Sequence, residues 1–180
     1  MSHRSAIRRI PYVLFLGSVS FVLLSCWNPF APEEGDLGGI QQLTLTEQRS
    51  PDEVLDNFRY AYIYRDSLVY SNLLDSGFVF VYYDPEAGGS GDYNFWGRDT
   101  ELRTTGRLFR AFDHFTLVWN ATISQDPLEI TDSTAEASLT KTFDLNVGTD
   151  ISLTGNAIFL FVKDSTGTWR IRRWQDESFI

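Results

Sequence analysis

The chain has 180 residues, is 43% hydrophobic and 22% charged, and carries a formal net charge of −9. That composition is globular and leaves room for one domain with appendages, while the acidic balance argues against a nucleic-acid partner. Cys26 is the one cysteine and His3 and His114 the two histidines, so an intrachain disulfide is excluded and cysteine-based or multi-histidine metal sites are not expected.

The first 26 residues read as an address. Arg4, Arg8 and Arg9 precede the apolar run from Tyr12 to Leu24, and small Ser25 and then Cys26 follow it. A basic stretch, a short apolar stretch and a small residue before the cut describe a secretory signal peptide. The run is too short to cross about 30 Å of hydrocarbon as a helix. Leu23-Leu24-Ser25-Cys26 resembles the lipobox of bacterial lipoproteins, which implies cleavage after residue 25 and a lipid on Cys26. Trp27, where an aspartate would follow the lipidated cysteine of retained proteins, implies by the same resemblance an outer-membrane lipoprotein facing the periplasm. Loss of three arginines and no acid takes the net charge from −9 to −12. A surface that acidic is repelled by anionic lipid, so the membrane contact is expected through the lipid at Cys26.

Residues 26–49 read as a flexible tether. Pro29, Pro32, Gly35, Gly38 and Gly39 interleave with Glu33, Glu34 and Asp36, and no apolar period survives. Some twenty such residues reach about 25 Å. Ile40, Leu43 and Leu45 are the candidates for first contact with the domain that follows, taken as residues 50–180.

Ser50-Pro51-Asp52-Glu53 is a helix start, with Ser50 as cap, Pro51 at the first helical position and Glu53 closing a capping box. Val54, Leu55, Phe58, Ala61 and Tyr62 then keep a helical period, and Tyr60, Ile63 and Tyr64 give the helix a second apolar side. Asp66 caps a short second helix through Leu73 and Leu74. Phe78–Tyr83 is a strand, the Gly-rich stretch 86–92 a loop, and Tyr93–Trp96 a short return strand. Asp99 is expected to cap a third helix carrying Leu102, Leu108, Phe109 and Phe112. Four strands fill the remainder. Leu117, Trp119, Ala121 and Ile123 alternate in the first. In the second, Ala137, Leu139, Phe143, Leu145 and Val147 oppose a polar face. The third runs from Ile151 to Val162, and the turn Asp164–Gly167 leads to the last, from Trp169 to Trp174. Phe58, Tyr62, Trp119, Phe143, Phe159 and Trp169 are expected to meet in one apolar core.

Three helices around a first hairpin, followed by a long meander, predict an α+β fold in which a curved antiparallel sheet wraps the N-terminal helices. Phe58 and Ala61 with Asp66, Phe78-Val79-Phe80, and Trp169-Arg-Ile-Arg-Arg-Trp174 resemble the NTF2-like superfamily, the SnoaL-like or cystatin-like cone. The resemblance covers about residues 50–178. It implies a pocket between sheet and helices, in a family that holds isomerases, dehydratases and hydrolases beside many non-catalytic binders. Tyr60, Tyr64, Trp96, Trp119, Phe143 and Phe159 are the candidate lining of that pocket.

No catalytic set, metal site or cofactor motif emerges. His114 falls between the third helix and the next strand, at a rim. Asp66 and Asp99 are explained as caps and Asp144 as a solvent-facing strand residue. Arg98, Arg103 and Arg107 lie near the third helix, as candidates either to hold an anionic ligand or to form a solvated face. Gly88-Gly89-Ser90-Gly91 lacks the lysine and helix start of a phosphate loop. The sequence therefore favours a non-catalytic envelope module that binds a small apolar ligand or a protein. A cone-type isomerase, dehydratase or hydrolase acting through one buried carboxylate is the alternative. Ile158, Leu160 and Val162, with Val118 and Trp174, suggest an apolar patch on the outer sheet face. A homodimer through that face and coverage by Ile40–Leu45 or Phe179-Ile180 both stay open.

Overall fold

The computed structural model describes residues 44–89 and 91–179. The signal peptide, Cys26 and the greater part of the tether lie outside the described residues.

Helix α1 (Pro51–Tyr64) starts as its sequence predicts. Ser50 Oγ accepts from the Glu53 amide at 3.2 Å, while Glu53 Oε2 reaches back to the amide of Arg49 at 2.7 Å, one residue beyond the cap. Its C-terminus is closed by Arg65 in the left-handed region. Asp66 caps α2 (Ser67–Leu73) by accepting from the amides of Leu68 and Val69. Strand β1 (Leu74–Asp84) and strand β2 (Asp92–Gly97) form the first hairpin. Helix α3 spans Arg98–Ala111, and its cap is Gly97 with no side-chain bond. Asp99, expected as the cap, lies inside the first turn instead, where its charge suits the positive end of the helix. Strands β3 (Phe115–Asp126), β4 (Glu136–Val147), β5 (Ile151–Lys163) and β6 (Trp169–Phe179) complete the domain.

The six strands form one curved sheet in the order β2-β1-β6-β5-β4-β3. All neighbours are antiparallel except β1 and β6, which run parallel. The first hairpin thus closes against the last strand of the meander, which makes the sheet mixed. Cross-strand register lines up Trp96, Phe80, Trp174, Phe159 and Leu139 across the inner face. Phe58 projects from α1 into this row, with ring centroids 5.3 Å from Trp174, 5.5 Å from Trp119 and 6.2 Å from Phe159. Phe58, Tyr62, Phe143, Phe159 and Trp169 are buried and Trp119 is partly buried, as the two periodicities require.

Two strands break parity. β6 carries a register shift between its pairs Phe161–Ile171 and Leu160–Arg173, so Arg172 is an extra residue. The slip turns Trp174 onto the inner face, and it leaves the outer patch to which strict alternation assigned it. In β3, shifts on both sides of Thr122 spoil the alternation beyond Trp119, and Ile123 is 62% exposed.

The segment 44–49, grouped with the tether by composition, is fastened to the domain. Buried Asn57 accepts from the Thr46 amide at 2.8 Å and donates to the Thr46 carbonyl at 3.1 Å. Gln48 exchanges backbone and side-chain bonds with Trp169, each 2.8 Å long. These attachments are hydrogen bonds in which side chains meet backbone groups, with one backbone–backbone bond from Trp169 to Gln48, and Leu45 remains half exposed.

Candidate functional site

The interior between helices and sheet is packed with rings. Tyr62 stacks on Phe58 at 4.8 Å, and Phe80 stacks on Trp96 at 4.6 Å. Between Phe58, Tyr62, Leu117, Trp119, Phe143, Leu145 and Trp174 remains a crevice of about 10 Å³. That is room for about one water molecule.

Among the described residues, two carboxyl groups face this interior, and both escaped the sequence reading. Glu101, on the inner side of α3, is 3% exposed. Its Oε1 accepts from the Tyr70 hydroxyl at 2.6 Å and from Thr105 Oγ1 at 2.8 Å, and its Oε2 accepts from the Trp96 indole at 2.7 Å. One carboxylate thereby joins α2, α3 and β2. Both of its oxygens are committed, so it acts as a clamp rather than a free base. Burial, and then the charge of Glu101, push the hydroxyl pKa values of Tyr62 and Tyr70 upward. These phenols stay protonated, and Tyr70 donates its proton to Glu101.

Asp176 differs. It follows Trp174 on the inner face of β6, paired with Tyr82 on β1 and Ala157 on β5. Ser178 Oγ donates to its Oδ2 at 3.1 Å, while its buried Oδ1 has no partner. Burial raises its pKa above the ordinary value of 3.8 against the opposing pull of the Ser178 bonds. The Trp174 indole N–H is also buried without a partner. An uncommitted acceptor and an uncommitted donor thus occupy alternate positions of one strand. Such a carboxyl has the attributes of a general acid or base, but the crevice beside Trp174 leaves no room for a substrate. Alternation could have flagged Asp176 only if the slip at Arg172 had been visible. Glu101 was legible as one helical turn before Thr105, but nothing in sequence brings it to Tyr70 and Trp96.

The expected pocket residues divide. Trp119 and Phe143 line the crevice, and Phe159 lies fully buried beneath it. Trp119 is anchored by its indole N–H on the Leu55 carbonyl at 3.0 Å. Trp96 joins the same interior through Phe80 and Glu101. Tyr60 and Tyr64 do not join it. They pack on each other at 4.5 Å on the far side of α1, with Tyr64 half exposed, because only one face of the helix meets the sheet.

The remaining candidates do not converge. His114 is exposed at the rim, 3.3 Å from Thr116 Oγ1. Arg98 donates to the carbonyls of Ser71 and Leu74, tying α3 to the end of α2. Arg103 holds Thr100, and Arg107 is exposed. Asp144 accepts from Asn120 on the outer face. Among the described residues, no three His, Cys, Asp or Glu side chains are placed to hold a metal ion.

Solved structures share this architecture. A putative scytalone dehydratase from Novosphingobium aromaticivorans is 16% identical, with 74% of this chain and 85% of that one covered and a TM-score of 0.58. An NTF2-like protein of unknown function from Shewanella baltica is 12% identical, covering 72% and 90%, with a TM-score of 0.51. A helical cell shape determining protein from Campylobacter jejuni is 14% identical, covering 68% of this chain and 38% of its own, with a TM-score of 0.52. The sequence matches no family model and no curated protein. The likeness shows the fold: the domain is an α+β cone of the architecture seen in these structures.

Proposed function

We propose that the chain is a bacterial envelope lipoprotein, held by a lipid on Cys26 at the periplasmic face of the outer membrane, whose NTF2-like domain is a non-catalytic binding module. The observation that carries the non-catalytic reading is the filled cone: its crevice has room for about one water. Ligand sites for drug-sized molecules measure about 300–1,000 Å³. The lipobox-like Leu23-Leu24-Ser25-Cys26 supports the anchor. The likeness to a cell shape determining protein is in keeping with an envelope role. A protein partner, or a second copy on the outer face of β5, suits a packed cone better than a small apolar ligand does.

The competing reading is a cone-type isomerase, dehydratase or hydrolase. Asp176, with its unpartnered oxygen and raised pKa, favours it, as does the likeness to a putative scytalone dehydratase. Complementation separates the two. In a deletion strain, the Asp176→Asn chain should restore wild-type behaviour in full. Loss of function in a normally folded and normally anchored Asp176→Asn protein would favour the enzyme.

A further inference from the structure

A second cavity lies away from the cone interior. It measures about 290 Å³ and opens between the start of α1, the end of β3 and the start of β4. Ala137 and Leu139 form its floor, each only 2% exposed. Leu128 and Ile130, from the loop joining β3 to β4, form a wall, and Leu128 is 89% exposed. The ionisable side chains in the lining are Asp52 and Glu129, both carboxylates. Asp52 is paired with Lys141 at 3.3 Å, while Glu129 makes no ion pair among the described residues. A helix start ordinarily favours an anion. Here that end is already answered by the Ser50 cap and the acids Asp52 and Glu53, so an added anion would meet like charge.

We infer that this cavity binds a small apolar molecule carrying an ammonium group, with its apolar body on Ala137, Leu139, Leu128 and Ile130 and its charge at Glu129. The size falls at the small end of ligand pockets, and the acidic chain concentrates cations at its surface. The inference stands apart from the cone and does not depend on how the protein is anchored.

The test uses the full chain in non-ionic detergent with labelled Leu and Ile methyl groups. Three probes of similar shape are titrated: 2-phenylethylammonium, 2-phenylethanol and 3-phenylpropanoate. The ammonium should shift the Leu139 and Ile130 methyls and bind about five-fold more tightly than the alcohol, as expected for a partly exposed charge pair. Glu129→Gln should erase that preference and leave alcohol binding unchanged. Leu128→Ser, on an exposed loop, should weaken ammonium and alcohol alike. Equal affinity for all three probes, a preference that survives Glu129→Gln, or no methyl shift with any probe overturns the assignment.

Discussion

Glu101 and Asp176 show how hydrogen bonding decides what a buried carboxyl does. Glu101 is surrounded by donors from Tyr70, Thr105 and Trp96. Glu101→Ala would strand all three in the interior and should cost about 3–4 kcal/mol, measured by urea unfolding. Asp176 is the opposite case, since burial penalises its charge and Oδ1 gains nothing in return. Its folded pKa is raised from 3.8. At neutral pH the native state therefore carries a cost that the unfolded chain does not. As pH falls through the raised folded value, the native carboxyl takes up its proton first and the cost is relieved; below the unfolded value both states are protonated. Asp176→Asn should thus be more stable than wild type at neutral pH, with the difference shrinking toward about pH 4. Unfolding curves across that range check it, and a difference independent of pH would contradict the burial argument.

At the scale of elements, caps and close approaches carry the information. Ser50 and Asp66 each satisfy helix-start amides, and replacing either with Ala should cost about 1 kcal/mol. Gly155 lies where β5 comes against β6: a Cβ there would meet the Glu177 carbonyl oxygen at 2.4 Å and Ser178 Cα at 2.5 Å. Both are backbone atoms and cannot swing aside. Gly155→Ala should destabilise by about 2–3 kcal/mol, read from the thermal midpoint. The β5–β6 turn is organised by Asp164. Its carboxylate accepts from the Thr166 hydroxyl and the Thr168 amide, which hold its pKa down to about 2 with help from Arg170. That contribution is present above the unfolded value of 3.8 and fades as pH falls through about 2.

For the whole molecule, the outer face of the sheet poses the question of partners. Ile158, Leu160 and Val162 are half-buried on that face and Val118 is 39% exposed. On β6, Arg173, Gln175 and Glu177 form a hydrogen-bonded ladder beside them. A two-fold axis near Gln175 would bring Arg173 of one copy toward Glu177 of the other and bury the apolar strip in an isologous dimer. Leu160→Asp should then convert a dimer to a folded monomer in sedimentation experiments on the detergent-solubilised chain. A wild-type chain that stays monomeric at high micromolar concentration would end the dimer proposal. The anchor is tested separately. Cys26→Ser should leave the protein uncleaved and without lipid, and mass spectrometry of wild-type membrane extracts should show a modified Cys26 at the amino terminus. An unmodified Cys26 would reject the anchor.

Local chemistry was legible directly from the chain. Capping at Ser50 and Asp66, the helical period through Phe58 and Tyr62, and the two-residue period of β4 depend on near neighbours, and each appears where its pattern placed it. The α+β class followed from the order of those elements. Three features required tertiary structure, because each depends on groups far apart in sequence. The parallel pairing of β1 with β6 follows from how the first hairpin docks against the last strand of the meander. The side to which Trp174 and Asp176 point turns on one extra residue, Arg172, inserted to match β5, and a period read along a single strand cannot register that slip. Glu101 becomes a clamp only because α2 and β2 bring Tyr70 and Trp96 to it. The volume left inside the cone is a small difference between large packed volumes, and only the assembled ring geometry determines it.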